Sequence, residues 1–109
     1  MKFIADPKFR VVLSTAPNLE EARRIAHALV ERKLVACVNL IPGIESVYRW
    51  QGKVETAAEI LLLMKTERDK EEELFQTLSE IHGYEVPEGI SLPIHGGLEP
   101  YLKWIAESL

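Results

Sequence analysis

The chain has 109 residues, with 13 Lys and Arg, 17 Asp and Glu and one Cys, and its net charge is −4. This length predicts a single domain over residues 1–109, and a composition with 47% hydrophobic and 28% charged residues is typical of a folded protein rather than a disordered one. The acidic balance without a Lys/Arg-rich block argues against nucleic-acid binding. A single thiol excludes an internal disulfide and a multi-thiolate zinc site.

The start of the chain carries no signal for export or membrane insertion. Residues 1–8 lack the apolar run of a secretory leader, and we expect them to form a loose tail. The longest apolar run, Ile60 to Met64, is far shorter than the ~20 residues that span a bilayer. We therefore expect a cytoplasmic protein in a reducing compartment, without membrane partners.

The first half of the chain predicts a strand, a helix and a second strand. Phe9 to Thr15 has the apolar pattern of a buried strand, and Asn18 is placed to cap an amphipathic helix over 19–33. Val35 to Trp50 predicts the next strand. Pro42-Gly43 interrupts it, which favours a bulge, because Pro lacks a backbone donor and Gly tolerates unusual dihedrals.

A hairpin follows. Gln51-Gly52 separates two strand-like runs and predicts a tight turn. The return strand, Lys53 to Thr66, contains the continuous apolar run, which is typical of a strand covered on both faces at the centre of a sheet.

The last third predicts a helix, a strand and a final helix. Asp69 can cap a helix over 70–82, and we expect Gly83 to end it in a left-handed conformation. Ile90 to His95 predicts a fourth strand, Pro93 within it indicates an edge position or a bulge, and Gly96-Gly97 should break it. The last helix begins at Glu99-Pro100.

The order β-α-β-β-α-β with a terminal helix predicts an α+β, ferredoxin-like fold with a four-stranded antiparallel sheet. The hairpin is too long for one subunit: the strand from 53 to 66 would extend ~46 Å, whereas a domain of this size is about 35 Å across. Tyr48 and Trp50 near its tip offer large contact surfaces. We therefore expect a homo-oligomer that joins through this hairpin.

Several unusual motifs resemble the CutA divalent-cation tolerance family and occur in its order over about residues 10–107: Ala36–Gly43, Ser46–Gly52, Leu63–Thr66, Tyr84–Glu88 and Tyr101–Ile105. The resemblance implies a ferredoxin-like subunit in a homotrimer, similar in architecture to PII-type signal transducers. It also implies an association with copper and other divalent metal ions, and no defined catalytic activity.

The resemblance carries the family's proposed metal ligands onto His82 and Glu88. An imidazole and a carboxylate are competent ligands, but two from one chain need water or another subunit to complete the coordination shell. His82 could instead serve a capping or hydrogen-bonding role at its helix end. Some relatives carry a Cys where this chain has Ser14, so a cation site here must depend mainly on nitrogen and oxygen.

Cys37 has two interpretations: a small buried hydrophobe on an inner strand, which its apolar neighbours favour, or a metal or redox thiol. His27 is expected on a solvated helix face, and His95 has no neighbouring ligand set. His82-Gly83-Tyr84 stands where the family has His-Pro-Tyr, which predicts a more flexible helix exit.

Three functions remain open. The first is a trimeric, non-enzymatic metal-tolerance protein. The second is a PII-like signalling trimer that binds a small anion between subunits near Arg49, Lys53 and Lys65. Ordinary salt bridges are the simpler role for these three side chains. The third is a structural or interaction trimer. No phosphate loop or local nucleophile motif supports an enzyme.

Overall fold

The computed structural model describes residues 1–109. The strands are β1 (Phe3–Ala5), β2 (Phe9–Ala16), β3 (Cys37–Trp50), β4 (Lys53–Glu67), β5 (Ile90–Pro93) and β6 (Gly96–Leu98), and the helices are α1 (Leu19–Glu31), α2 (Glu71–Ile81) and α3 (Glu99–Glu107). Four strands form an antiparallel sheet in the order β3-β4-β2-β5, and β1 and β6 form a second, two-stranded sheet. The predicted ferredoxin-like fold is confirmed, with β4 in a central position and β5 at an edge.

Helices α1 and α2 cover one face of the four-stranded sheet. The main core joins alternate residues of β2 and β4 to the apolar sides of both helices: Val12, Ala16, Ile60, Leu62, Met64, Ala22, Ile25, Leu29, Leu74 and Leu78. Each fully buried Leu or Ile contributes about 1.5–3 kcal/mol relative to exposure, so this layer is the main source of stability. A smaller cluster holds α3 through Phe9, Ala36, Leu102 and Ile105.

The helix ends agree only partly with the caps predicted from the sequence. Asn18 caps α1 as predicted, since its Oδ1 accepts a hydrogen bond of 2.8 Å from the Glu21 N–H. The prediction of an Asp69 cap is wrong, because Arg68–Lys70 forms a short 3-10 turn and no side chain caps α2. The prediction of a left-handed Gly83 is also wrong. Helix α2 ends at Ile81 with extended backbone at His82, and Gly83 has no positive φ.

The prediction of a loose tail over residues 1–8 is wrong for β1. Phe3–Ala5 pairs antiparallel with Gly96–Leu98, so the predicted break at Gly96-Gly97 is wrong: β5 already ends at Pro93, and the two glycines begin β6. A Cβ atom on Gly96 would lie 2.3 Å from the Ile4 carbonyl oxygen. Only glycine allows β1 to approach this closely, which explains why a Gly pair supports pairing here.

The bulge predicted at Pro42-Gly43 is confirmed and changes the phase of β3. Ile41 lies opposite Leu61 and Ile44 lies opposite Glu59, so β3 contains one residue more than β4 between these pairs. Gly43 has a φ of +80°, which glycine adopts without strain. Directly opposed residues project to the same face. Before the bulge, the odd-numbered residues of β3 therefore share a face with the odd-numbered residues of β4, and after the bulge the even-numbered residues of β3 do so.

The hairpin makes the subunit elongated, with extents of 47 × 24 × 22 Å. Gln51 and Gly52 both have positive φ, at 49° and 79°, which is the conformation of a two-residue type I′ turn. Beyond the bulge the hairpin is mostly exposed on both faces, as the length argument predicts. No helix has the length and apolar character that crossing a membrane requires.

An ion pair within α1 forms hydrogen bonds to the exit of α2 and so connects the two helices of the main layer. Arg24 on α1 donates to both carboxylate oxygens of Glu21, at 2.6 and 3.2 Å, and also to the Ile81 carbonyl oxygen. Glu21 in turn accepts a hydrogen bond of 3.1 Å from the Gly83 N–H. These contacts fix the start of the connection between α2 and β5, so the flexible helix exit expected from Gly83 is restrained by α1.

One polar atom in the core has no partner. Ser14 is fully buried beside Leu62, and its Oγ makes no hydrogen bond. Thr66, also fully buried, differs, because its Oγ1 donates to the Leu34 carbonyl oxygen at 2.7 Å. An unsatisfied buried hydroxyl destabilises a folded protein by roughly 1–3 kcal/mol, whereas a satisfied one does not.

We therefore expect Ser14→Ala to raise the free energy of unfolding by about 1 kcal/mol, because it removes the unpaired hydroxyl with little loss of volume. Thr66→Val is the matched control and should lower the free energy by a similar amount, since the Leu34 carbonyl then loses its donor. Urea denaturation at one fixed protein concentration measures both. A Ser14→Ala protein less stable than the wild type would contradict this account.

The Glu21–Arg24 pair predicts a pH dependence. The hydrogen bond from Arg24 holds the pKa of Glu21 below its ordinary value of 4.5. A lowered pKa in the folded state stabilises the protein above the unfolded-state pKa, and this contribution is lost as the pH falls through the folded-state pKa. We expect Glu21→Gln to lower the free energy of unfolding by roughly 0.5–1 kcal/mol at neutral pH and by progressively less below about pH 4.5.

Thermal unfolding of both proteins between neutral pH and about pH 3 measures this difference. Glu20→Gln is the control, because Glu20 also lies in the first turn of α1 but has no partner at the exit of α2. A difference between Glu21→Gln and wild type that stays constant across the range would rule out the contribution of this ionisation.

Candidate functional site

The main concave feature is an open cleft of about 660 Å³ between the hairpin and the connection from α2 to β5. Strands β3 and β4 provide one wall, and residues 84–88 of the connection provide the other. A cavity of this volume suits a small organic molecule. The lining consists of Thr15, Ser46, Val47, Tyr48, Trp50, Glu59, Tyr84, Glu85, Val86, Pro87 and Glu88.

Glu59 and Tyr84 form the floor of the cleft. The Tyr84 hydroxyl donates a hydrogen bond of 2.7 Å to Oε2 of Glu59, which is only 8% exposed. Burial raises the pKa of Tyr84 well above its ordinary value, and the hydrogen bond to Glu59 raises it further. Tyr84 therefore stays protonated at neutral pH and acts as a fixed donor to the carboxylate.

The bulge in β3 brings two aromatic rings to the same face as Glu59. Tyr48 lies opposite Glu55, and Trp50 lies opposite Lys53, so both rings project to the same face as the odd-numbered residues of β4, which include Glu59. They are 44% and 41% exposed. Without the extra residue at Pro42-Gly43, both rings would project to the other face of the hairpin.

His82 lies next to this floor, and both of its ring nitrogens are engaged. Nε2 contacts the Thr15 carbonyl oxygen at 2.7 Å, and Nδ1 accepts a hydrogen bond of 3.0 Å from the Tyr84 N–H. A carbonyl can only accept, so Nε2 carries the proton and the ring is neutral. The hydrogen-bonding alternative for His82 therefore describes the present arrangement, in which no lone pair remains for a metal ion.

Glu88 is exposed at the edge of the same cleft, with Glu85 nearby in the sequence. The structure thus brings His82 and Glu88 to one region, but only Glu88 lines the cavity. No group of three or more His, Cys, Asp or Glu side chains is placed to hold a metal ion. The residues present therefore do not complete a metal site within one subunit, and the ligand pair stays a prediction.

Cys37 lies away from the cleft. It begins β3, which is an edge strand and not an inner one, and it is half-buried. Its Sγ lies 3.9 Å from Oδ1 of Asn39 and 4.0 Å from the hydroxyl of Tyr101. The prediction of a buried hydrophobe on an inner strand is wrong, because β4 pairs with β2 on its other side and leaves β3 at the margin.

The three cations considered for an anion site do not meet within one subunit. Arg49 and Lys53 lie at the tip of the hairpin, whereas Lys65 lies twelve residues further along β4 and donates to Oδ1 of Asn39. Twelve strand residues span ~40 Å. None of the three lines the cleft, and its charged residues are all acidic. His27 and His95 are both exposed.

The sequence pattern does not single out Glu59 or its partner Tyr84. One signal was available, because Glu59 directly precedes the apolar run of β4, and a charged residue at the start of a buried strand needs a partner. The partner is 25 residues away in the chain. Only the tertiary fold, together with the phase change at the bulge, shows that the two meet.

Comparison with known proteins identifies the family. The family described as CutA1 divalent ion tolerance protein matches residues 10–108. The chain is 49% identical over 98 residues to the divalent-cation tolerance protein CutA of Thermus thermophilus, which covers 90% of this chain and 95% of that protein. It is 48% identical over 98 residues to the chloroplastic protein CutA of Arabidopsis thaliana, with 90% of this chain covered. This chain spans about half of that plant protein, 54% of its length.

Solved structures show the same fold. CutA from Synechococcus elongatus superimposes with a TM-score of 0.95 at 34% identity, over 99% of this chain and 96% of that one. CutA1 from Oryza sativa gives a TM-score of 0.90 at 48% identity, over 93% of each chain. The chain therefore belongs to the CutA family of divalent-ion tolerance proteins.

Proposed function

We propose that this protein is a homotrimeric divalent-cation tolerance protein that binds copper or other divalent ions weakly and acts without catalysis. The single observation that supports cation binding is the charge of the cleft, whose lining includes Glu59, Glu85 and Glu88 but no Lys or Arg. A concave surface with charges of one sign concentrates ions of the opposite sign. A cytoplasmic location remains a prediction.

The open face of the sheet supports the trimer. Odd-numbered residues of β2 and β4 project away from α1 and α2, and β5 adds two half-exposed side chains to them. This surface carries the apolar residues Val11, Leu13, Ile41, Leu61, Leu63, Ile90 and Leu92, and the polar residues Asn39, Glu59 and Lys65 lie on the same face. Soluble monomers rarely expose contiguous apolar patches of this kind. A second and a third copy would cover this face and support the projecting hairpin.

Metal binding in this proposal begins at Glu88, the exposed carboxylate of the predicted pair. His82 would become the second ligand only if its ring gave up the hydrogen bond from the Tyr84 N–H, which now occupies Nδ1. Water or a second copy would supply the remaining ligands. A site with so few protein ligands binds weakly and favours ions that accept oxygen and nitrogen donors.

The first prediction concerns assembly. We expect multi-angle light scattering at micromolar concentration to give three times the subunit mass. Leu63→Glu should reduce the mass toward one subunit, because it places a charge in the centre of the apolar face. Val30→Glu is the control, since Val30 is exposed on α1 away from this face. A wild-type protein that is a stable monomer would disprove the trimer.

The second prediction concerns the metal. We expect titration calorimetry with Cu²⁺ and Zn²⁺ to show weak binding that Glu88→Gln reduces several-fold, because an amide oxygen is a poorer ligand than a carboxylate. Glu72→Gln removes the same charge from an exposed position on α2 and should leave binding unchanged. Equal binding in wild type and Glu88→Gln would remove Glu88 from the site, and His82→Ala tests the histidine separately.

A further inference from the structure

The cleft contains a buried carboxylate that no cation in the chain neutralises. Glu59 is more than nine-tenths buried, yet it belongs to none of the ion pairs of the protein. Carboxylates at this depth are normally paired with a cation or held by several hydrogen bonds, because burial of an unpaired charge is costly. The Tyr84 hydroxyl is the only side-chain partner of Glu59.

The geometry leaves half of the carboxylate for a ligand. Tyr84 occupies Oε2, while Oε1 accepts no side-chain hydrogen bond, and the residue lines the cleft. Tyr84 also restrains the orientation of the carboxylate, and its own backbone is held by His82. A fixed acceptor at the floor of a cavity suits a ligand that brings both a positive charge and an N–H donor.

The walls favour an organic ligand. Tyr48 and Trp50 project from alternate positions of β3 to the face that carries Glu59, and Val86 and Pro87 line the opposite wall. Aromatic faces attract ammonium groups and bind the apolar part of the same molecule. The volume of about 660 Å³ is far larger than a single ion needs and falls in the range of small-molecule sites.

We propose that this cleft binds a protonated organic amine, whose ammonium group donates to Oε1 of Glu59 and whose carbon skeleton packs against Tyr48 and Trp50. This ligand class differs from the divalent ions of the proposed function. An organic anion would be repelled by the acidic lining, and a neutral ligand would leave Glu59 without a counter-charge. A metal ion would use neither ring nor most of the cavity.

Butylammonium, with butan-1-ol as its neutral analogue of similar size, is the probe for this site. The reporter is the indole N–H signal of Trp50 in a Trp104→Phe background, because Trp104 is the only other tryptophan and is exposed on α3. We expect saturable shifts of the Trp50 signal with butylammonium at millimolar concentration. Butan-1-ol should produce shifts at least about tenfold weaker, since it lacks the charge.

Three variants test the assignment. Glu59→Gln keeps an acceptor for Tyr84 but removes the charge, and we expect it to weaken butylammonium binding about tenfold or more. Tyr48→Leu, at a position 44% exposed in the subunit, should weaken binding several-fold in a protein that keeps the wild-type mass by light scattering, because Tyr48 also belongs to the hairpin expected to contact another copy. Glu31→Gln, exposed at the end of α1, is the control of equal charge change and should bind as the wild type does.

The proposal is overturned if butylammonium causes no saturable shift. It is also overturned if butan-1-ol binds equally well, or if both Glu59→Gln and Tyr48→Leu bind like the wild type. Should Glu59→Gln fail to fold, Tyr48→Leu and the butan-1-ol comparison still decide. These outcomes are independent of the metal titration, because that experiment changes Glu88 and measures ion binding.

Discussion

The position of one extra residue in β3 determines which side chains can act together. Before the bulge at Pro42-Gly43, the odd-numbered residues of β3 share a face with the odd-numbered residues of β4. After the bulge, the even-numbered residues of β3 share that face. Tyr48 and Trp50 therefore lie on the side of Glu59, and the cleft has aromatic and acidic walls together. The positive φ of Gly43 makes this shift possible without strain, so a backbone feature controls the chemistry of a site several residues away.

A continuous chain of polar contacts connects the sheet to the wall of this cleft. The Thr15 carbonyl accepts from His82, the His82 ring accepts from the Tyr84 N–H, and the Tyr84 hydroxyl donates to Glu59. Each member uses its neighbour to satisfy a buried polar atom, as buried networks must. His82 therefore has a structural role that fully accounts for its burial, and Glu59 is the member of the chain with acceptor capacity left over.

Local patterns predicted the regular parts of the fold well. Alternation and apolar runs placed β2, β3 and β4, and the length of the hairpin anticipated the elongated shape, because these features depend on residues close together in the sequence. Asn18 was identified as a cap for the same reason. The motifs resembling the CutA family agree with the family match over residues 10–108.

Features that depend on distant contacts could not be predicted in this way. Three residues at the start of the chain have little strand signal alone, and they pair only because Gly96 allows close approach. Cys37 was misplaced because strand order, not local pattern, decides which strand lies at an edge. The partner of the His82 Nε2 lies 67 positions away in the chain, and the partner of Glu59 lies 25 positions away.

The contact between Arg24 and the end of α2 has a consequence for ionic strength. The last turn of α2 contains no basic residue, so the guanidinium of Arg24 on α1 supplies the positive charge that a helix C-terminus favours. Arg24 is half-exposed, and dissolved salt weakens such an interaction as the Debye length shortens to ~3 Å at molar concentration. The carboxylate of Glu21, which pairs with Arg24, also accepts a hydrogen bond from the Gly83 N–H. Concentrated salt should therefore loosen the wall that carries Tyr84 before it affects the apolar core.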